Sequence, residues 1–99
     1  MKTRFLTPAR VEFTEAIAHY NEQRKGLGFR FSDEVKITIQ RIVEYPEAGS
    51  PLSKATRQRQ VKRFPYSVIY YLGGDELVIV AVMHNRRAPS NWKNRLSEA

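Results

Sequence analysis

The spacing of apolar residues changes character midway along the chain. Phe13, Ala16, Ile17 and Tyr20 recur at the i, i+3, i+4, i+7 interval of one helix face. Glu12, Glu15, His19 and Glu22 take the other side. Thr7-Pro8 just before them reads as an N-cap followed by proline at the first helical position, where a missing N–H costs nothing. Gly26-Leu27-Gly28 ends or sharply bends this helix. A second helix is predicted over about Phe29 to Glu44, with Phe31, Val35, Ile39 and Ile42 inward and Ile37 and Val43 widening the stripe. Pro46 stops it, because a residue preceding proline disfavours helical angles. Two helices so briefly connected form an antiparallel hairpin.

Beyond the polar loop Glu47 to Ser53 the period falls to two. Strands are predicted at about Arg59 to Phe64, Tyr66 to Leu72 and Leu77 to His84, and a further short strand at Lys2 to Leu6. Gly73-Gly74 supplies the positive φ of a tight hairpin, and Pro65 belongs at a strand junction or edge. The expected fold class is α+β: an N-terminal strand, an antiparallel helical hairpin, then a three-stranded antiparallel sheet, in one domain over residues 1–99. The last strand is apolar on both faces. Leu77, Ile79, Ala81 and Met83 are expected on one side, and Val78, Val80 and Val82 on the other. The helices cover one face. The second needs the tail with Trp92, another copy, or a partner segment.

Charge adds a functional dimension. The net charge is +7, and residues 54–99 hold nine Lys/Arg against three Asp/Glu, an excess of +6. Such a field attracts polyanions: nucleic acid, an acidic protein segment or an anionic surface. Without cysteine there is no disulfide or thiolate metal site, and a reducing, cytoplasmic setting is expected. No apolar run nears the roughly 20 residues of a membrane span. His19 and His84 lack partners at ligand spacing, so neither metal nor cofactor is expected.

The candidate chemistry is therefore cationic. Arg57, Arg59, Lys62 and Arg63 lie on or just before the first hairpin strand, Arg86 and Arg87 after the last, and Lys93 and Arg95 in the tail. Strand pairing is expected to gather them into one patch, where guanidinium groups grip phosphate and Trp92 stacks on a base. His84 is the natural general acid or base should the chain cleave RNA.

Val61-Lys62-Arg63-Phe64-Pro65-Tyr66, then the two apolar strands, then His84-Asn85-Arg86-Arg87-Ala88-Pro89 with Trp92, resemble the RelE/ParE toxin superfamily. The ParE branch, or plasmid stabilisation proteins, is the most similar. Gly26 to Phe31 and Pro46 to Pro51 also look like that branch, so the resemblance spans essentially the whole chain. It implies the toxin of a type II toxin–antitoxin pair, neutralised by a small antitoxin whose C-terminal segment wraps it, the pair repressing its own operator DNA. It implies a non-enzymatic inhibitor of DNA gyrase, with Arg59, Lys62, Arg63, His84, Arg86, Arg87 and Trp92 as target contacts and Val78, Val80 and Val82 against the antitoxin. The alternatives are a RelE-like, metal-independent nuclease cutting mRNA on the ribosome, with His84 catalytic, and a nontoxic antitoxin-binding co-repressor. Where RelE-like members commonly carry a tail tyrosine this chain has Trp92, which has no phenolic proton to transfer.

Overall fold

A computed structural model describes residues 1–87 and 90–98. Ala88 and Pro89, which the sequence places at the start of the polar tail, lie outside the described residues. The elements run β1 (Lys2–Phe5), α1 (Thr7–Gln23), α2 (Leu27–Glu44), β2 (Ser50–Pro51), β3 (Thr56–Gln60), β4 (Tyr66–Gly73), β5 (Glu76–His84), α3 (Ser90–Lys93) and a 3₁₀ turn, Asn94–Glu98. The expected α+β arrangement is present, but the sheet has five strands in the order β1-β5-β4-β3-β2. β1 joins it in parallel with β5, pairing Lys2 with Glu76 through Phe5 with Ile79.

The helices deviate from the sequence pattern at their ends. Leu6, not Thr7, is the N-cap of α1, with Pro8 in its first turn. The Leu6 N–H is still donated to Ile79 O (3.0 Å), so the strand ladder holds that residue extended. At the other junction Gly26 takes φ 86° and caps α2, which therefore starts at Leu27. Gly28 lies inside α2 because the two helices nearly touch there: a Cβ would sit 2.1 Å from Ile17 O. Its N–H is donated to Asn21 Oδ1 (2.8 Å), fastening the hairpin. Phe31, Val35 and Ile42 are fully buried as expected, whereas Ile37 is exposed.

β4 and β5 form the predicted hairpin, closed by Gly74-Asp75 with Gly73 opposite Glu76. Gly74 alone takes the left-handed φ (60°), at the first central position, as a type II′ turn requires. The pairing slips between Ile69 and Tyr70: Ile69 faces Ala81 but Tyr70 faces Ile79. Val80 is the extra residue of a β-bulge, and it reverses the facing of everything after it. Leu77, Ile79 and Val82 join Val68 and Tyr70 under the helices, while Val78, Val80, Ala81 and Met83 face the tail. The sequence alternation is thus corrected from Ala81 onward. Trp92, 1% exposed, covers that second face with Leu6, and Leu52, Tyr71 and Leu96 pack around it.

Candidate functional site

The expected first hairpin strand is shorter and earlier than the apolar pattern suggests. β3 ends at Gln60, so Lys62, Arg63 and Phe64 fall in a tight loop before β4. Within it Val61 N–H is donated to Tyr66 O (2.9 Å) and Tyr66 N–H to Phe64 O (2.8 Å), placing Pro65 at the centre of a three-residue turn. Arg63 adopts φ 69°. For a residue with a Cβ this costs about 1–2 kcal/mol, which the loop's own hydrogen bonds offset.

β-pairing does not gather all the cations. Cross-strand neighbours share a face, and Arg57 lies opposite Tyr70 and Arg59 opposite Val68, both on the helix side. Arg57 Nη1 is spent on Glu47 O (2.9 Å) and Gly49 O (2.8 Å). It fastens a loop that also receives the Tyr70 hydroxyl on Pro46 O (2.7 Å). Arg59 Nη1 is buried and has no hydrogen-bond partner. Arg95 is neutralised by Glu12, its Nη1 and Nη2 reaching the two carboxylate oxygens at 2.7 and 2.8 Å. The single patch expected from sequence is corrected accordingly: strand alternation sends Arg57 and Arg59 to the helix side, and an ion pair removes Arg95.

Trp92 is corrected too. A side chain 1% exposed offers no ring face to a base, and its Nε1–H is buried without a partner. Val78, Val80 and Val82 are each at most 1% exposed and do not share a face. The chain's own tail and helices cover them, so they present no surface to a partner while the tail is seated.

What remains is the end of the sheet where β3, β4 and β5 stop together. Lys62 and Arg63 project from one loop, Arg86 and Arg87 from the turn after β5, and all four are exposed. The two segments touch: Asn85 N–H is donated to Pro65 O (2.8 Å). Three clefts open around them. The widest, about 560 Å³, lies between the hairpin junction and the loop and is lined by Arg30 and Arg63, by the carboxylates Asp33 and Glu34, and by Tyr20, Leu27, Phe64 and Pro65. A second, about 300 Å³, lies on the tail side and includes His84, Arg87 and Trp92. A third, about 270 Å³, carries Glu12, Glu15, His19, Tyr66, His84 and Arg87. Arg63 and Arg87 therefore rise from adjoining segments but border different clefts.

His84 sits at the rim, its ring edge-on to Tyr66 with centroids 5.2 Å apart. Its Nδ1 accepts the Arg86 N–H at 3.1 Å. In the neutral ring this assigns the proton to Nε2, which then can donate but not accept. Among the described residues no three His, Cys, Asp or Glu are grouped so as to hold a metal.

Two polar constellations escaped the sequence reading. Gln60 Nε2 donates to three carbonyl oxygens of the basic loop, Val61, Phe64 and Tyr66, each at 2.9 Å. Its Oε1 accepts from Asn85 Nδ2 (2.8 Å), and Asn85 Oδ1 accepts from the Ser67 hydroxyl (2.8 Å). The second is at the bulge. Past the end of β1 the β5 backbone is met by side chains: Glu12 Oε1 accepts Val82 N–H (3.2 Å), and Arg95 Nη1 donates to Val80 O (3.1 Å). Glu12 is thus not part of the solvated face of α1. Polar residues separated by 18 or more positions give no periodic signal that would have paired them.

Comparison with known proteins fits this architecture. Residues 4–89 match the sequence model of the family described as "ParE toxin of type II toxin-antitoxin system, parDE". A solved structure titled "Chromosomal ParDE TA system from P. aeruginosa" superposes with a TM-score of 0.74 at 14% identity, covering 85% of this chain and 95% of that one. At that identity the likeness is one of fold. No curated protein sequence matches the chain.

Proposed function

The chain belongs to the ParE toxins of type II toxin–antitoxin systems, and we propose that it acts by binding DNA gyrase and trapping it on cleaved DNA. The observation that carries this reading is the family match over residues 4–89. The exposed basic end of the sheet supports it. Lys62, Arg63, Arg86 and Arg87 are carried by adjoining segments joined through the Asn85 N–H to Pro65 O bond and are open to an anionic partner such as gyrase-bound DNA.

Binding without chemistry fits the site better than RNA cleavage. His84 Nδ1 is engaged by backbone, so the neutral ring has no nitrogen free to take a 2′-hydroxyl proton. Trp92 has no acidic hydroxyl and is buried. An antitoxin encoded with the toxin would neutralise it in the cytoplasm, and the pair would bind operator DNA. Exposed apolar side chains on the helical hairpin, Val11, Phe29 and Ile37, offer that antitoxin its footing. No described helix is long and apolar enough to cross a membrane.

Purified protein tested in parallel on gyrase with supercoiled plasmid and on translating ribosomes with message decides among the readings. Trapped cleaved DNA or lost supercoiling supports the gyrase reading. Codon-positioned RNA cuts abolished by His84→Ala support the nuclease instead. Neither effect, with tight antitoxin binding, supports a nontoxic co-repressor. The double change Arg86→Ala, Arg87→Ala is expected to weaken gyrase inhibition with the circular dichroism spectrum and unfolding midpoint retained. An unfolded double variant would assign those side chains to the scaffold.

A further inference from the structure

Resting on the gyrase reading, we propose that Gln60 and Asn85 are positioning residues that lock the two basic segments into one preorganised recognition surface. The geometry is unusual for solvent-facing amides. One NH₂ group with two protons is shared among three carbonyl oxygens that span the whole Val61–Tyr66 loop. That loop contains the left-handed Arg63, a conformation that an unbraced chain would leave. The same amide's oxygen is held by Asn85, the first residue after β5, and Asn85 is held by Ser67, the partner of Met83 in the β4–β5 ladder. Every donor and acceptor is directed: Ser67 to Asn85, Asn85 to Gln60, Gln60 to the loop. The chain of bonds begins in the sheet and ends under Lys62 and Arg63, and passes through the residue that leads into Arg86 and Arg87.

Four flexible cationic side chains on independently moving loops would each lose freedom on binding. Braced as one unit, they lose less, so the clamp raises affinity without touching the target. It also explains why these polar residues, among them two whose side chains face solvent, are tied into a closed set of bonds rather than left to water.

Gln60→Glu is the sharpest test. It keeps the shape and the acceptor for Asn85 Nδ2, but sets a carboxylate oxygen against the three carbonyls. The amides to follow are Val61, Tyr66, Asn85, Arg86 and Arg87, all engaged in this region. Their hydrogen exchange is expected to quicken together, about tenfold for the loss of one net hydrogen bond, while amides of α1, α2 and the centre of β5 keep their protection. Gyrase inhibition should weaken by about the same factor at a temperature where the variant stays folded, with the thermal midpoint lower by no more than the several degrees that one net hydrogen bond is worth; a purely structural role would leave inhibition by the folded variant unchanged. Asn85→Ala serves if Gln60→Glu does not fold. It cuts the side-chain link between the segments and leaves the Ser67 hydroxyl without its acceptor, keeps the backbone bond from Asn85 N–H to Pro65 O, and should weaken inhibition with the Gln60 cradle intact. Loosening confined to one segment, or loosened segments with full gyrase inhibition, overturns the proposal. Wild-type protein inert towards gyrase defeats the target reading instead. The exchange pattern then decides the clamp alone, joint loosening upholding it and independent loosening overturning it.

Discussion

The two faces of the sheet are equally dry and built from different materials. Under the helices, Phe31 is fully buried and its ring meets Phe13, Tyr20, Phe64 and Tyr66, with centroids between 4.9 and 6.1 Å apart. Those rings come from α1, α2, the basic loop and β4, so one residue ties four segments together. On the opposite face one large side chain, Trp92, does the covering, with its indole N–H unsatisfied. Its segment is tethered by Arg95 to Glu12, a pair only 14% and 16% exposed. The helix side is a redundant aromatic network. Among the described residues, the tail side is a lid held by the Trp92 plug, by Leu96 beside it and by Arg95, which reaches both Glu12 and Val80 O. Losses on the first should therefore be global, and losses on the second local.

Phe31→Ala should do the most damage. Removing a buried ring at the node of the network is expected to cost about 3–5 kcal/mol, read as a lower urea midpoint at unchanged slope. A loss near 1 kcal/mol would mean that the neighbouring rings collapse into the space, and that the helix side is no more demanding than the lid. Arg95→Ala comes next. It leaves the Glu12 carboxylate half-satisfied and is expected to cost about 1–3 kcal/mol. Its signature is regional: proteolysis after the β5 turn should accelerate while amides of α1 and α2 stay protected. Uniform loss of protection would erase the distinction between the two faces.

The smallest effect sharpens the contrast through pH. Burial raises the pKa of Tyr20, Tyr66 and Tyr70 above the ordinary phenol value. Tyr66 raises Tyr20 further, whereas Arg87 lowers Tyr66 and the Gly49 backbone and Arg57 lower Tyr70 against that trend. All three rings pack on the helix side. With folded values above unfolded ones, their contribution is intact below the unfolded pKa, about 10. It is lost as pH rises from there through the folded values, because the unfolded chain releases protons first. Alkaline titration should thus loosen the helix side, with Tyr70→Phe flattening the fall. At neutral pH that change removes one hydrogen bond, to Pro46 O, and should cost about 0.5–1.5 kcal/mol. An unchanged alkaline profile would show that Tyr70 stays protonated or is not coupled to folding.

Much of this protein is legible without coordinates because it is encoded locally. Helix faces, the Gly74 hairpin turn and the stop at Pro46 each depend on a few neighbouring residues and on backbone sterics. The family signature reads just as well, since it lies in contiguous runs around Arg63 and His84. The resemblance located the basic loop, yet the period-two pattern placed Lys62 and Arg63 on a strand that in fact ends at Gln60.

Sequence alone determined β1, the helical hairpin, the β4–β5 hairpin, their order and the positive field of the second half, whereas β2, α3 and the 3₁₀ turn fall in stretches that read as loop and tail. Tertiary structure decided which charges remain free. One extra residue at Val80 reverses the facing of every side chain after it, alternation along β3 sends Arg57 and Arg59 beneath the helices, and Glu12 meets Arg95 across 83 positions. Register and long-range pairing are settled by closing the whole sheet at once, and no local window contains that information.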